Sequence, residues 1–182
     1  MDMTTSSYKG ILESSEMLNC SLQSTGVYPS LVLALRDMRE VNGRDPVTGT
    51  GQGNGSWVGL SIGMTILDTL SGDSRNDVRG RWERFLTSHG ISKKDAHVIY
   101  MLRNSLLHGY GVPKPSEIYK RRLLLTDDAT AFAVDTRQDS LVNVSVPVFC
   151  GNLVECISAQ SPQGWDTSLI DTNYTYSDVK AD

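Results

Sequence analysis

Ile99-Tyr100-Met101-Leu102-Arg103-Asn104-Ser105-Leu106-Leu107-His108-Gly109-Tyr110 is the stretch on which both the fold and the chemistry of this chain turn. It closes a helical run from about residue 95 to residue 109. At about 100° per residue, Asp95, Ile99, Leu102, Leu106 and Tyr110 share one face, at the i, i+4, i+7 spacing of a helix packed on a core. Arg103 falls inside that sector, between Ile99 and Leu107. The opposite side carries His97, Met101, Asn104 and His108 at similar spacing. One face suits the interior of a bundle. The other suits a second covered surface lined with polar, titratable groups.

The arginine, its polar neighbour and the histidine resemble the motif of the HEPN family, helical-bundle proteins many of which are metal-independent ribonucleases. In that family the histidine follows four to six residues beyond the arginine. Here Arg103, Asn104 and His108 match it with four residues between arginine and histidine. Tyr110, two residues after the histidine, matches the version found in HEPN toxins of toxin–antitoxin pairs. The motif spans eight residues.

The resemblance implies a mainly α fold: a HEPN-like helical bundle with a small antiparallel β hairpin or meander inserted before the last helix. It implies a metal-independent endoribonuclease that acts on RNA as a symmetric homodimer, in the role of a toxin or defence effector. Arg103, Asn104 and His108 become the catalytic residues, and Tyr110 and His97 accessory ones. In toxin relatives the tyrosine is adenylylated by a partner nucleotidyltransferase antitoxin, a role that falls here to Tyr110. No cofactor and no metal are implied.

Two other readings stand beside this one. Many relatives keep the bundle without the chemistry, so the same cleft could serve a non-catalytic module that anchors a nucleotide or protein through Arg103 and His108. In the third, the motif is incidental: His108 caps a helix end next to Gly109, and Arg103 snorkels or pairs with one core carboxylate.

Composition narrows the classes. A chain of 182 residues with 39% hydrophobic content holds one core, so a single domain over 1–162 is expected, followed by an acidic tail over 163–182. No apolar run reaches the length of a membrane span. The first seven residues lack the basic-then-apolar pattern of a signal peptide, so the expected location is cytoplasmic. Cys20, Cys150 and Cys156 are odd in number and show no paired Cys-x-x-Cys spacing, which reads as free thiols.

The net charge of −4 argues against a strong non-specific nucleic-acid binder. Its distribution is uneven, however. Residues 75–122 hold 11 Lys and Arg against 4 Asp and Glu, and the rest of the chain holds 6 against 17. The segment carrying the motif is basic and its flanks are acidic, so attraction for phosphate is local and salt-sensitive.

Outward from the motif, the spacing predicts helices over about 29–41, 56–70 and 76–88. Proline suits the start of the first, and Ser92 caps the motif helix with Asp95 three residues on. His89 reads as an end cap. The glycine-rich 43–55 lacks a terminal Gly-Lys-Ser/Thr and a preceding strand, so it is a flexible connector and not a phosphate loop. Residues 119–146 contain three short strand-like runs, 121–125, 131–135 and 141–146, read as an antiparallel meander. A last helix is expected over about 147–159. Residues 1–25 are ambiguous.

Metal-free RNA cleavage needs a base to take the 2′-hydroxyl proton, an acid to protonate the leaving oxygen and a cation on the phosphorane. Histidine serves either proton-transfer role, and arginine matches phosphate oxygens. On an ideal helix Arg103 and His108 point about 140° apart, which predicts that one chain cannot hold one phosphate with both. A two-fold pair of helices then supplies the site, with His97, Met101, Asn104 and His108 on the seam.

Overall fold

The computed structural model describes residues 20, 27–72, 76–161 and 169–171. Five helices carry the chain, with a small three-stranded mixed sheet placed before the last of them. In order they are β1 (Val27–Pro29), α1 (Ser30–Val41), α2 (Trp57–Leu70), α3 (Val78–Ser88), α4 (Lys93–Gly109), β2 (Arg122–Thr126), β3 (Val134–Asp135), β4 (Leu141–Ser145), a composite helix α5 and β5 (Leu169–Asp171). Helix α5 runs through Val146–Val148, a π-helical stretch Phe149–Val154 and Glu155–Gln160 without a break.

Helices α2 to α5 each begin where a side chain accepts from an orphan N–H group, whereas α1 starts at Pro29 with no side-chain cap. Ser56 Oγ accepts from the Gly59 N–H at the start of α2, and Ser92 Oγ accepts from the Asp95 N–H at the start of α4. Asp77 does the same for α3 through the Gly80 N–H. The ends predicted from sequence fall within about two residues of those observed, as hydrogen-bonded caps permit. His89 is the expected cap: its Nδ1 meets the Phe85 carbonyl at 2.9 Å at the end of α3.

The core is one contiguous cluster. Leu31, Leu35 and Met38 of α1 meet Leu60, Met64 and Leu67 of α2, and Phe149, Leu153 and Val154 of α5 close over them. Gly63 sets the closeness of that approach. A Cβ there would stand 3.2 Å from Val154 Cγ2 and 3.3 Å from Met38 Sδ. On the other side α4 contributes Ala96, Val98, Ile99, Leu102 and Leu106, packed on Trp82 and Leu86 of α3.

The sheet is not the expected antiparallel meander. Its order is β2-β4-β3, with β4 in the middle, parallel to β2 (Arg122↔Leu141 through Thr126↔Ser145) and antiparallel to β3 (Val134↔Val144, Asp135↔Asn143). The cause lies in β4 itself. Its Val142 and Val144 are fully buried, so it takes the central place where both edges are paired. Strand β2, with Arg122 and Leu124 exposed, stays at an edge. Part of the chain expected as an acidic tail also joins the body: the backbone of β5 pairs antiparallel with β1, Val27↔Asp171 to Pro29↔Leu169. The ambiguous N-terminal stretch, Cys20 apart, and the rest of the tail lie outside the described residues.

One ion pair ties the first helix to the last. Arg39 of α1 donates from Nε to Glu155 Oε1 at 2.8 Å and from Nη2 to Glu155 Oε2 at 2.6 Å, with both side chains buried. Arg39 Nη1 also donates to the Val47 carbonyl at 2.8 Å. Glycine-rich residues 43–55 therefore fold over the pair. A Cβ on Gly49, at φ +68, would press on the Arg39 guanidinium, and the Arg44 guanidinium lies directly over Gly151 in the π-helical turn. Burial pulls the Arg39 guanidinium toward neutrality, but the Glu155 bonds outweigh it and hold the group above its ordinary range.

Two outcomes follow for this architecture. Glu155→Ala leaves a buried guanidinium without its partner and should lower the unfolding free energy by about 3–5 kcal/mol. Urea denaturation measures this, and a loss below about 1 kcal/mol would show that the pair does not clamp the bundle. All three cysteines are buried free thiols, and burial pushes the Cys150 thiol up to about 12. Alkylation at mildly alkaline pH should therefore leave native Cys150 unmodified and label it only on denaturation, a difference mass spectrometry reads directly.

Candidate functional site

Arg103 lies two turns before the end of α4, and its surroundings build the site. The guanidinium turns toward the ends of α2 and α3. Nη2 donates to Asp68 Oδ2 at 2.6 Å, and the guanidinium carbon stands 5.8 Å from the centre of the Trp82 ring. Asp68 is held by two more donors from α3: the Trp82 indole N–H at 2.7 Å and Arg81 Nη2 at 3.3 Å, both on Oδ1. One carboxylate thus joins α2, α3 and α4. Trp82 is wholly buried, so its indole N–H needs this acceptor.

The other terminal nitrogen of Arg103 points along α4. Nη1 donates to Asn104 Oδ1 at 2.9 Å and lies 3.3 Å from His108 Nε2. Here the structure corrects the ideal-wheel expectation. The Cα–Cβ bonds of residues 103 and 108 diverge, but the arginine stem is long enough to bring its head back beside the imidazole. Guanidinium and histidine converge within one protomer. A guanidinium can only donate, so as a hydrogen bond this contact makes Nε2 the acceptor. Arg103 is largely buried, with its side chain 12% exposed, whereas His108 is open to solvent.

Tyr110 ends the helix by adopting a left-handed conformation, φ 48 and ψ 41, with its N–H returned to the Leu106 carbonyl and that of Gly111 to the Ser105 carbonyl. A left-handed tyrosine costs about 1–2 kcal/mol relative to a right-handed one, a strain that glycine at this position would avoid. The consequence is directional. The ideal wheel sends Tyr110 into the core; the left-handed turn swings it out to 64% exposure, edge-on to Trp57 at 5.6 Å.

His97 does not belong to this cluster. It is 9% exposed, its Nε2 lies 2.9 Å from the Glu117 carbonyl, and its ring meets Tyr119 edge-on at 5.2 Å. Glu83 Oε1 stands 3.4 Å from Nδ1. The segment after α4 folds back over this part of the helix and fills the place where a partner helix was expected. His97 is therefore a packed interior histidine, and the expected seam of His97, Met101, Asn104 and His108 is covered at its His97 end by the protein's own chain.

Asp68, Arg81 and Trp82 were not visible as site residues in the sequence. Asp68 reads as a polar position near the end of an apolar helix, and Trp82 as core. The one available signal was an acidic residue within a turn of the end of an otherwise apolar helix. Its partner, Arg103, lies 35 positions away, beyond any local pattern.

No family model matches the chain, and no curated protein or solved structure matches it. Two arginines and one carboxylate leave the cluster net positive. It has an exposed imidazole at its rim and, in Arg103, a cation fixed by three separate groups.

Replacing Asp68 tests that arrangement. Asp68→Ala strands the buried Trp82 N–H and releases Arg103, and should lower stability by about 1–3 kcal/mol. Asp68→Asn keeps an acceptor for the indole and should recover part of the loss. Chemical denaturation followed by tryptophan fluorescence separates the two; equal stability of all three proteins would show that Asp68 does not brace the site.

Proposed function

We propose that the Arg103–Asn104–His108 cluster is the working site of a metal-independent endoribonuclease. The observation that carries this reading is the 3.3 Å approach of Arg103 Nη1 to His108 Nε2. It sets a fixed cation and a titratable group, one the partner of a phosphate and the other of a proton, side by side at an open surface.

A phosphate oxygen arriving at Arg103 competes for Nη1 and releases the Nε2 lone pair beside the same phosphate. His108 then takes the proton of the ribose 2′-hydroxyl. The 2′-oxygen forms a bond to phosphorus and the bond to the 5′-oxygen breaks, leaving a 2′,3′-cyclic phosphate and a 5′-hydroxyl. Arg103 and the Asn104 side-chain amide stabilise the charge gathered on the phosphorane. Asp68, by gripping Nη2, leaves Nη1 facing the substrate, so it positions Arg103.

The departing 5′-oxygen needs a proton from a second acid, and the protomer offers no second exposed histidine at this cluster. A symmetric homodimer supplies it as the partner's own imidazole. Support for that pairing comes from the surface around the motif. Among the described residues, four of the seven large exposed hydrophobic ones, Val58, Leu107, Tyr110 and Val112, lie at the C-terminal end of α4 or on the first turn of α2, which Tyr110 meets through Trp57. The number of proton-transfer groups and this apolar rim favour a dimer; divergence within one helix does not require it. The exposed Tyr110 hydroxyl also suits modification by a nucleotidyltransferase, in keeping with a toxin or defence role.

A second reading draws on a different observation. Asp68 already neutralises Arg103 at 2.6 Å, which suits a permanent anchor for a nucleotide or an acidic protein segment as well as a catalytic cation. Activity decides between them. Purified protein should cleave RNA in the presence of a chelator, and His108→Ala and Arg103→Ala should each reduce the rate by at least about a hundredfold with the fold unchanged by circular dichroism. Arg103→Lys keeps the charge and should restore only part of the rate. Cleavage that survives His108→Ala, or its absence in the native protein at every concentration tested, would leave the anchoring role. Sedimentation should give twice the protomer mass.

A further inference from the structure

At the far end of α4 lies a second site that the motif does not reach. Lys94 and His108 are 14 residues apart, about 21 Å along the helix. There the first turn of α4 faces β3 and the turn leading into β4, and between them opens a cleft of about 370 Å³ lined by Lys94, Asp95, Arg121, Phe132, Thr136 and Arg137 among others.

Three cations, Lys94, Arg121 and Arg137, and three carboxylates, Asp95, Asp135 and Asp139, line it. Lys94 Nζ donates to the Thr136 carbonyl at 3.0 Å, and Arg121 Nη1 donates to the same oxygen at 2.7 Å. Two cations therefore converge on one neutral acceptor. The carboxylates nearby have partners of their own. Asp95, 8% exposed, accepts from the Ser92 hydroxyl at 2.7 Å and from the Thr136 hydroxyl at 2.6 Å. Asp135 is held by Arg137 at 2.7 and 2.9 Å. Asp139 stands 3.8 Å from Arg121 on a fully exposed side chain, where water screens it. An ammonium has three N–H donors and a guanidinium five, so Lys94 and Arg121 retain several. Arg121 is fixed for use, with its side chain 11% exposed and its Nε bonded to the Asp139 carbonyl at 3.1 Å.

The cleft also carries a flat surface. The Arg137 guanidinium lies 4.2 Å from the centre of the Phe132 ring, a stacked pair beside the two cations. Paired cations next to a stacking surface match a phosphate joined to an aromatic base, and the volume is in the range of small-ligand sites.

We propose that this cleft binds the phosphate of a nucleotide, with Lys94 and Arg121 on the phosphate and the base laid against Phe132 and Arg137. The phosphate can come from a free nucleoside monophosphate or from the 5′-end of an RNA. The site does not depend on Arg103 or His108, so it stands or falls apart from the ribonuclease reading.

Calorimetric titration of the full chain with AMP, adenosine and inorganic phosphate tests it. AMP should bind saturably, and adenosine at least about tenfold more weakly. Arg121→Gln and Lys94→Gln should each weaken AMP by about tenfold or more. Phe132→Leu should weaken AMP and leave inorganic phosphate unchanged. A 5′-phosphorylated oligoribonucleotide that binds more tightly than AMP, and more tightly than its 5′-hydroxyl counterpart, assigns the phosphate to an RNA end; AMP binding without that preference assigns it to a free nucleotide. The comparison of AMP with adenosine needs no variant, so a substitution that disturbs folding does not shield the proposal. No saturable AMP binding at millimolar concentration, equal affinity for AMP and adenosine, or unchanged affinity in both cation variants would overturn it.

Discussion

A single carboxylate governs the arrangement around the candidate site. Asp68 sits near the end of α2 and accepts from Trp82 and Arg81 of α3 and from Arg103 of α4. Without an acceptor the buried indole N–H would carry a desolvation penalty of about 1–3 kcal/mol. The same carboxylate therefore satisfies the core and aims the cation. Because Asp68 takes Nη2, the other guanidinium nitrogen faces Asn104 and His108. The position of the candidate chemistry is a by-product of a packing requirement.

The other end of the bundle is organised on the same principle with opposite exposure. Arg39 and Glu155 are fully enclosed and bidentate, and glycine-rich residues 43–55 fold over them because glycine alone lets backbone come so close at Gly49. The π-helical turn before Glu155 leaves Gly151 beneath the Arg44 guanidinium. In one place buried charge locks the helices together, and in the other a half-open cluster leaves charge available. The difference lies in what covers each: the chain's own loop at Arg39, and solvent at His108.

Much of the helical frame was legible because it depends on local signals. Ser56 and Ser92 cap helices, glycines and prolines punctuate them, and apolar residues recur at helical spacing on Leu31, Leu35 and Met38 or on Ile99, Leu102 and Leu106. Sheet order was not legible. Three short strands of similar character can be joined as a meander or with β4 in the middle, and the choice follows from how Val142 and Val144 bury against the helices. His97 shows the same limit: at helical spacing it aligns with Asn104 and His108, and only the path of residues 115–120 over the helix encloses it.

The sequence by itself determined the helices, their caps and the placing of Arg103, Asn104 and His108 within one stretch of α4, since these depend on neighbours a turn or so apart. Only the tertiary structure decided that Asp68 holds Arg103, that the guanidinium bends back to the imidazole, and that Tyr110 leaves the core through a left-handed turn. Long side chains reach several ångströms beyond their backbone, and the groups that pull them lie on other helices. A helical wheel records where a side chain starts; the packed structure determines where its charge ends.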